Sequence, residues 1–466
     1  MVDLIRKTLS GKKVNLLGFG REGQSSFKVI RKALPLLQLA ISDANASIRA
    51  NPLVANDPFI EFRTGENYLE NLNEFDVIIK SPGIALHRLS YEIPLNKITS
   101  QTDLFLQQYS GQVTGITGTK GKSTTASLVS HILKLDSRDA IMLGNIGRPS
   151  FNYLDSITLS TLIVDELSSH QLEYLTKSPH ISVLLNIYQE HLDAYNSYQD
   201  YQLAKMNITK FQERSDFLIY NADDPIIANH LGSMNLRRSF RKFSSNRKVE
   251  NGCFIENDHI IYSEDGREEK VYDLRLKRKL KGDHNVMNIM AAINVCKILG
   301  INNDLITEGI STFRGLEHRI EFAGHYRGID FYNDSIATIP EAAMEAVKTL
   351  QNVDTLILGG FDRGIDYSGF ARFLVASNVR NFIFTGEAGN RIRDEIEKLA
   401  THAKNLIVIN KFEEFLEPAL KYTKAGEVCL LSPAAASYDE FINFEMRGKK
   451  FKEIIHENIR IDPSVS

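Results

Sequence analysis

The chain is poor in cysteine, in net charge of either sign and in long apolar runs. Its 466 residues include three cysteines, Cys253, Cys296 and Cys429, with no metal-ligand spacing among them. An odd, sparse count argues against a disulfide framework or a zinc module and suits a reducing cytoplasm. Fifty-five Lys and Arg against 58 Asp and Glu leave a net charge of −3, which supplies no general pull toward nucleic acid or anionic membrane. No run of 18 apolar residues occurs, and the opening Met-Val-Asp-Leu-Ile-Arg-Lys lacks a signal-peptide profile. Neither a bilayer span nor export is therefore expected. Long Gly/Pro/Ser linkers and short internal repeats are absent as well. What is present, 43% hydrophobic and 24% charged residues, is an ordinary soluble globular composition. The length exceeds one core and predicts two or three domains.

The most informative run is Gly118-Thr119-Lys120-Gly121-Lys122-Ser123-Thr124. It follows a short apolar-leaning segment, Gln112 to Thr117, and precedes a helical pattern from Ala126. A glycine turn between strand and helix aims backbone N–H groups at an anion, and the helix dipole adds to the attraction. Lys122 is placed to reach terminal phosphates, and Ser123 or Thr124 to offer a hydroxyl to Mg²⁺. The spacing is shorter than the common phosphate loop: Ile116 stands where the first glycine would be.

A second phosphate-type turn lies near the N-terminus. Lys13-Val-Asn-Leu-Leu reads as a strand running into Gly18-Phe-Gly20-Arg21-Glu22-Gly23 and a helix-like Ser26 to Arg31. Another apolar run, Leu36 to Ile41, ends at Asp43, twenty residues after Gly23. Alone, this is a dinucleotide fingerprint with an acidic residue for a ribose hydroxyl, so a nicotinamide oxidoreductase is a fair local reading. The next strand, Asp76 to Lys80, also ends in a glycine turn, Ser81-Pro-Gly83. Ligands of open α/β sheets collect at that edge.

Strands and helices keep alternating. Leu162 to Asp165 ends at Glu166-Leu-Ser168-Ser169, and Ser182 to Asn186 leads to Glu190-His191-Leu-Asp193. A helix, Ser197 to Gln212, carries Lys205. Acidic and imidazole groups at neighbouring strand ends beside a glycine-lysine loop are the makings of a metal site. The basic stretches Arg237-Arg238, Arg241-Lys242 and Leu274 to Leu280 alternate with period two and suggest strands with a solvated face. No aromatics interleave with the charges of 274–280, which argues against nucleic acid. Asp283 is placed to cap an apolar helix, Ile289 to Leu299. From about Gly315 a further α/β unit begins, with apolar runs ending at Asn333-Asp334-Ser335, Gly359-Gly-Phe-Asp362-Arg363-Gly364, Thr385-Gly386 and Ser432-Pro433. That pattern fits a doubly wound parallel sheet. The expected fold class is α/β in three domains, each a mainly parallel sheet with helices, over residues 1–100, 101–315 and 316–466.

Taken in order, these motifs resemble the Mur ligases, the ATP-dependent amide-forming enzymes of peptidoglycan precursor synthesis, and most of all their MurD branch. The markers are the 118–124 loop, Gly144-Asn145-Ile-Gly147, Glu166-Leu-Ser-Ser169 with Gln171-Leu172, His191-Leu-Asp193 and Ala204-Lys205. Others are His284-Asn285, His318-Arg319, Asn333-Asp334-Ser335, and Ser432-Pro-Ala-Ala-Ala-Ser437 through Phe444 to Gly448. The resemblance implies addition of glutamate to UDP-N-acetylmuramoyl-L-alanine through an acyl phosphate, in a cytoplasmic, monomeric bacterial enzyme without nucleic-acid or membrane partners. It re-reads the N-terminal domain as a UDP site: Gly18, Gly20, Arg21 and Glu22 at the diphosphate, Asp43 toward uracil, Ser81 and Gly83 beside the nucleotide, Asn145 on the muramoyl part. Lys122 and Arg319 would serve the ATP phosphates, with Gly118, Thr119, Lys120, Gly121, Ser123, Thr124, Asn285, Asn288 and Asp334 as further ATP contacts. Ser123 and Glu166 would hold one Mg²⁺. His191 and a carbamylated Lys205 would hold a second. Arg363, Ser437 and Phe444 would bind glutamate.

Two positions depart from the usual pattern of that branch. Ile336 follows Asn-Asp-Ser where lysine is usual, and Arg363 replaces a lysine after the glycine pair. Arginine keeps a cation for a carboxylate but offers a planar fork in place of a point charge. These departures, with Lys120 in the loop, resemble a subfamily that adds L-glutamate and relies on a partner epimerase. D-glutamate is the family default. A nucleotide-binding regulator that has lost ligation stands as the reading from another class.

Overall fold

Continuous apolar runs flanked by glycine turns become buried parallel strands in the computed structural model of the chain. It describes all residues except 87, 88, 90, 145–148, 190–194, 235–237, 277, 279, 281, 351, 400–403 and 462–466, and at 283, 284 and 461 only the backbone. The chain falls into two compact units, Met1–Phe313 and Arg314–Ser466.

The first unit holds two sheets. Strands β1 (Val14–Leu17), β2 (Leu39–Asp43), β3 (Ile60–Thr64), β4 (Val77–Lys80) and β5 (Ile98–Thr99) pair in the parallel order β3-β2-β1-β4-β5. The order reverses at β1, so its C-terminal end, where Gly18 begins the glycine turn, is a topological switch point. The second sheet contains β6 (Val113–Thr117), β7 (Ala140–Gly144), β8 (Leu162–Glu166), β9 (Ile181–Leu184), β10 (Phe217–Asn221), β11 (Ser239–Ser244), β12 (Gly252–Glu256), β13 (His259–Glu264) and β14 (Arg267–Asp273). Its order is β14-β13-β12-β11-β10-β9-β6-β8-β7. Pairing is parallel from β7 to β12 and antiparallel in the β12-β13-β14 meander. The helix Asp283–Ile298 packs on this sheet with Ile289, Met290, Ile293 and Val295 fully buried.

The second unit is a six-stranded sheet of β15 (Glu321–Tyr326), β16 (Ile329–Asn333), β17 (Val353–Gly359), β18 (Asn381–Thr385), β19 (Asn405–Val408) and β20 (Val428–Leu431), ordered β15-β16-β20-β17-β18-β19. Only the β15–β16 hairpin is antiparallel. All seven residues of β17 are buried, as a central strand covered on both faces requires.

Among the described residues no helix is long and apolar enough to cross a membrane. All three cysteines are free and buried. Two local expectations fail. The described residues of 274–280 lie in no strand. The Arg275 N–H bonds the Asp273 carboxylate, and the Arg278 guanidinium bonds the carbonyls of Leu274 and Leu280, so these two arginines are satisfied locally. Asp283 is the first helical residue and not the cap; Gly282, at φ +94°, holds that position.

Candidate active site

The loop after β6 is fixed from below by the end of β9. Asn186 accepts from Thr119 N through its carbonyl (2.9 Å) and from Lys120 N through its side-chain oxygen (2.8 Å), while its amide donates to Lys120 O (3.0 Å). The Thr119 hydroxyl meets Tyr188 N and the Tyr201 hydroxyl, each at 2.9 Å. Gly121 caps the helix Lys122–Leu135 in a left-handed conformation, φ +88°. A Cβ there would lie 2.2 Å from Asn288 Oδ1, so only glycine lets the loop approach this side chain. Asn288 in turn bonds Asn285 (3.1 Å).

Two lysines meet at this loop. Lys122 Nζ donates to the carbonyls of Gly118 (2.9 Å) and Thr119 (3.0 Å). Lys205, on the helix Tyr198–Lys210, is 2% exposed and donates to the same Gly118 oxygen at 2.9 Å, 4.9 Å from the centre of the Tyr201 ring. The fold thus brings together Gly118, Thr119, Lys120, Gly121, Lys122, Asn285, Asn288 and Lys205. Ser123 and Thr124 occupy the first helical turn.

Glu166 ends β8, which is paired with β6 through Ile116. It is buried, and its Oε2 has no hydrogen-bond partner. The same holds for Asp165 Oδ1 and Glu22 Oε2. Burial first, then the charges of Glu22 and Glu166, push Asp165 up to about 7. Burial likewise lifts Glu22 to about 6, against the opposing effects of its 3.0 Å bond from Gln171 and of the Lys80 charge. Lys80 is itself buried and pairs with Glu173 at 3.1 Å. Among the described residues no three His, Cys, Asp or Glu side chains form a metal cluster. The expected set contains one such described residue, Glu166, and its unpartnered buried oxygen is what fits a cation. His191 and Asn145 lie outside the described residues.

The N-terminal turn closes on itself as its glycines require. A Cβ at Gly18 (φ +91°) would lie 2.8 Å from that of Ser81, and one at Gly23 would lie 2.1 Å from Gly18 O. The Ser81 hydroxyl donates to Gly18 O (3.1 Å). Asp43 accepts from Phe19 N (2.7 Å) and Asn45 N (2.8 Å), so its carboxylate ties the turn to β2. Gly20, Arg21 and Gly83 are exposed. Glu22 points the other way, toward Gln171 and Asp165.

In the second unit, Asp334 follows β16 and accepts from Ile320 N (3.2 Å) and the Ser432 hydroxyl (2.6 Å). Burial raises it to about 7. Arg319 is exposed. Arg363, also exposed, donates to Thr338 O (2.7 Å). Ser437 is 1% exposed, with a hydroxyl that has no partner. Phe444 opens the helix Phe444–Ile461, and its carbonyl accepts from the Ser335 hydroxyl (2.8 Å). Beneath these loops the buried guanidinium of Arg447 donates to Ser335 Oγ and to the carbonyls of Ser335, Ala435, Ala436 and Gly359, at 3.0–3.4 Å. Sequence reasoning missed the structural parts of both sites: Asn186, Tyr201, Asp165 and Arg447. Asn186 had a signal, a polar residue closing an apolar strand. A buried arginine on a charged amphipathic helix had none.

The Mur ligase middle domain model matches residues 116–296, and the Mur ligase glutamate ligase domain model matches residues 318–435. The chain is 33% identical over 458 residues to UDP-N-acetylmuramoylalanine--D-glutamate ligase of Lachnoclostridium phytofermentans, covering 96% of this chain and 98% of that one. It is 32% identical over 456 residues to the protein of the same name from Thermoanaerobacter sp., covering 96% and 99%. The crystal structure of UDP-N-acetylmuramate-alanine ligase MurC from Thermotoga maritima shares the fold, with a TM-score of 0.51 at 19% identity over 96% of this chain and 100% of that one. With two family domains in sequence and near-complete coverage above 30% identity, the chain belongs to the Mur ligase family.

Proposed function

We propose that the chain is an ATP-dependent ligase that joins glutamate to UDP-N-acetylmuramoyl-L-alanine. The carrying observation is the meeting of Lys122 and Lys205 at Gly118. Holding a nucleotide needs one such cation. A second lysine, buried on a separate helix beside the loop, suits a carbamate that would carry a metal ion to a reaction in which two anions must meet. In the first step an alanyl carboxylate oxygen attacks the γ-phosphorus, and ADP leaves. In the second the glutamate amine attacks the acyl carbon, phosphate leaves, and the amine loses a proton. Lys122 and, on the second unit, Arg319 neutralise phosphate oxygens. Ser123 and Glu166 would hold a Mg²⁺, and His191 with carbamylated Lys205 a second. Bound there, the ions would screen the attacking and leaving oxygens. On this reading residues 1–100 take UDP, 101–315 take ATP and 316–466 take glutamate, in a cytoplasmic, monomeric enzyme. Arg363 and the unpartnered Ser437 hydroxyl would face the carboxylates of the amino acid.

One observation favours a second reading, with L-glutamate as substrate and an epimerase acting afterwards. Ile336 and Arg363 redistribute cationic charge on the second unit's loops. Phosphate release is measured with ATP, Mg²⁺ and UDP-N-acetylmuramoyl-L-alanine, in parallel with D- and L-glutamate, and products are weighed. Turnover with one isomer assigns the stereochemistry. ATP binding without product from either isomer would sink the glutamate assignment and leave the regulator reading.

A further inference from the structure

We propose that Arg391 is a positioning residue: it takes up the carboxylate of Asp362 and so leaves the neighbouring guanidinium of Arg363 for a carboxylate of the amino acid. The inference rests on the reading of Arg363 as a glutamate-binding group. The loop after β17 is fixed at both ends. At its start Gly360 N donates to Thr385 O and Phe361 N to Ala436 O, each at 2.9 Å. At its end Tyr367 is 1% exposed. Between these anchors, among the described residues, no amide or carbonyl of 362–366 bonds to backbone elsewhere. Arg391, on the helix Gly386–Glu397, holds this stretch through its side chain. Nη1 donates to Asp362 Oδ1 (2.6 Å) and Nη2 to Ile365 O (3.0 Å), and the guanidinium lies 5.5 Å from the centre of the Tyr367 ring. Asp362 Oδ1 also accepts from Gly364 N (3.0 Å). The carboxylate is thus turned inward, its side chain 15% exposed against 40% for Arg391.

An aspartate next in sequence to an exposed arginine is a ready internal partner, and such a pair would compete with a substrate carboxylate for the same guanidinium. The β16 exit loop, Asp334 to Thr338, carries no cation that could take its place. With Asp362 engaged by Arg391, Arg363 Nη2 donates to the neutral carbonyl of Thr338 (2.7 Å). A carboxylate makes the stronger bond and can draw it away. Asp366, the other carboxylate of the loop, is occupied by Ser368, from its N–H (2.9 Å) and its hydroxyl (3.2 Å). All three charges act at one place. Burial raises the Tyr367 phenol, Asp362 adds to the rise, and Arg391 and Arg363 oppose it.

The test measures ligation kinetics for Arg391→Gln, Asp362→Asn and the double variant, with ATP, Mg²⁺, UDP-N-acetylmuramoyl-L-alanine and the glutamate isomer that the wild type ligates. Arg391→Gln releases Asp362 to pair with Arg363, so KM for glutamate should rise about tenfold while kcat and KM for ATP stay within about twofold. Removing the competing charge should undo this. Asp362→Asn in the Arg391→Gln background is expected to return KM for glutamate to within about threefold of the wild type. Arg391→Lys keeps the charge and loses the bond to Ile365, so its KM for glutamate should also stay within about threefold. It covers the case in which Arg391→Gln does not fold, since a tenfold rise there would overturn the proposal. A double variant as impaired as Arg391→Gln overturns it, because the pair would then act only by bracing the loop. So does Arg391→Gln with an unchanged KM for glutamate, or with an equal rise in KM for ATP. An Arg363→Met variant with an unchanged KM for glutamate would instead overturn the underlying reading of Arg363.

Discussion

Replacing Asp165 by asparagine should flatten the pH dependence of stability. Asp165 lies on β8 between Gly115 of β6 and Leu143 of β7, fully enclosed, with one oxygen unpartnered. Burial and two neighbouring carboxylates raise its folded pKa from 3.8 to about 7. Between those values the folded protein holds a proton that the unfolded chain has lost. Stability therefore falls as pH rises through that interval, and the penalty is complete above about 7. The displacement corresponds to roughly 4 kcal/mol, on the order of 5–10 °C in melting temperature for a unit of this size. Glu22, raised to about 6, adds a smaller contribution of the same sign. Thermal unfolding at pH 5.5 and 8.5 reads the effect directly. The wild type should lose more stability over that interval than Asp165→Asn by roughly 2 kcal/mol, the part of the displacement that lies between pH 5.5 and about 7. Asp334, also raised to about 7, titrates in both proteins and cancels from the comparison. Equal pH slopes in the two proteins would refute the assignment of the buried proton to Asp165.

Gly121→Ala should fold but lose at least about a hundredfold in kcat/KM for ATP, since a Cβ 2.2 Å from Asn288 Oδ1 forces the loop and that side chain apart; steady-state kinetics checks it. Arg447→Met leaves four carbonyls and a hydroxyl without their donor and should cost about 3–5 kcal/mol. Hydrogen exchange should then rise across residues 314–466 and stay unchanged over 1–313. Lys205→Met should abolish incorporation of ¹³C from labelled bicarbonate, seen by NMR as a carbamate signal in the wild type, and reduce ligation at least about a hundredfold.

The parallel strands were legible because both faces are buried. Val77–Lys80, Asn381–Thr385 and Val428–Leu431 appear in the sequence as unbroken apolar runs that stop at small residues. The antiparallel β12-β13-β14 meander was not read, although its turns carry a strong local signal. Asn257-Asp258 and Asp265-Gly266 both take positive φ, the conformation of two-residue hairpin turns. The alternating basic stretch at 274–280 misled for the opposite reason: its period is a strand's, but its arginines satisfy nearby carbonyls and carboxylates and close the segment into turns. Within the sites, loop glycines and lysines could be placed from spacing alone. The acidic trio Glu22, Asp165 and Glu166 could not, because Glu22 stands on the helix that follows β1, beside the other sheet of the first unit, and sequence separation hides the approach.

On the proposed reading, each unit would bind an anion at the C-terminal edge of a parallel sheet, by different physical means. In the first, a short glycine turn does the shaping, and Lys122 and Lys205 both donate to a loop carbonyl. An ammonium–carbonyl bond is weaker than an ammonium–phosphate bond, so the contact keeps Lys122 close to where a phosphate would draw it away. In the second, the exit loops of β16 and β20, Asp334 to Thr338 and Ser432 to Ser437, carry no glycine. Their shape depends on a guanidinium sealed beneath them, bonded to Ser335, Gly359, Ala435 and Ala436. Buried among five acceptors, this guanidinium is not available to a ligand. It fixes the exit loops, including the one that leads to Ser437, which on the proposed reading would make the second site rigid around an amino acid and leave the first adaptable around a transferring phosphate.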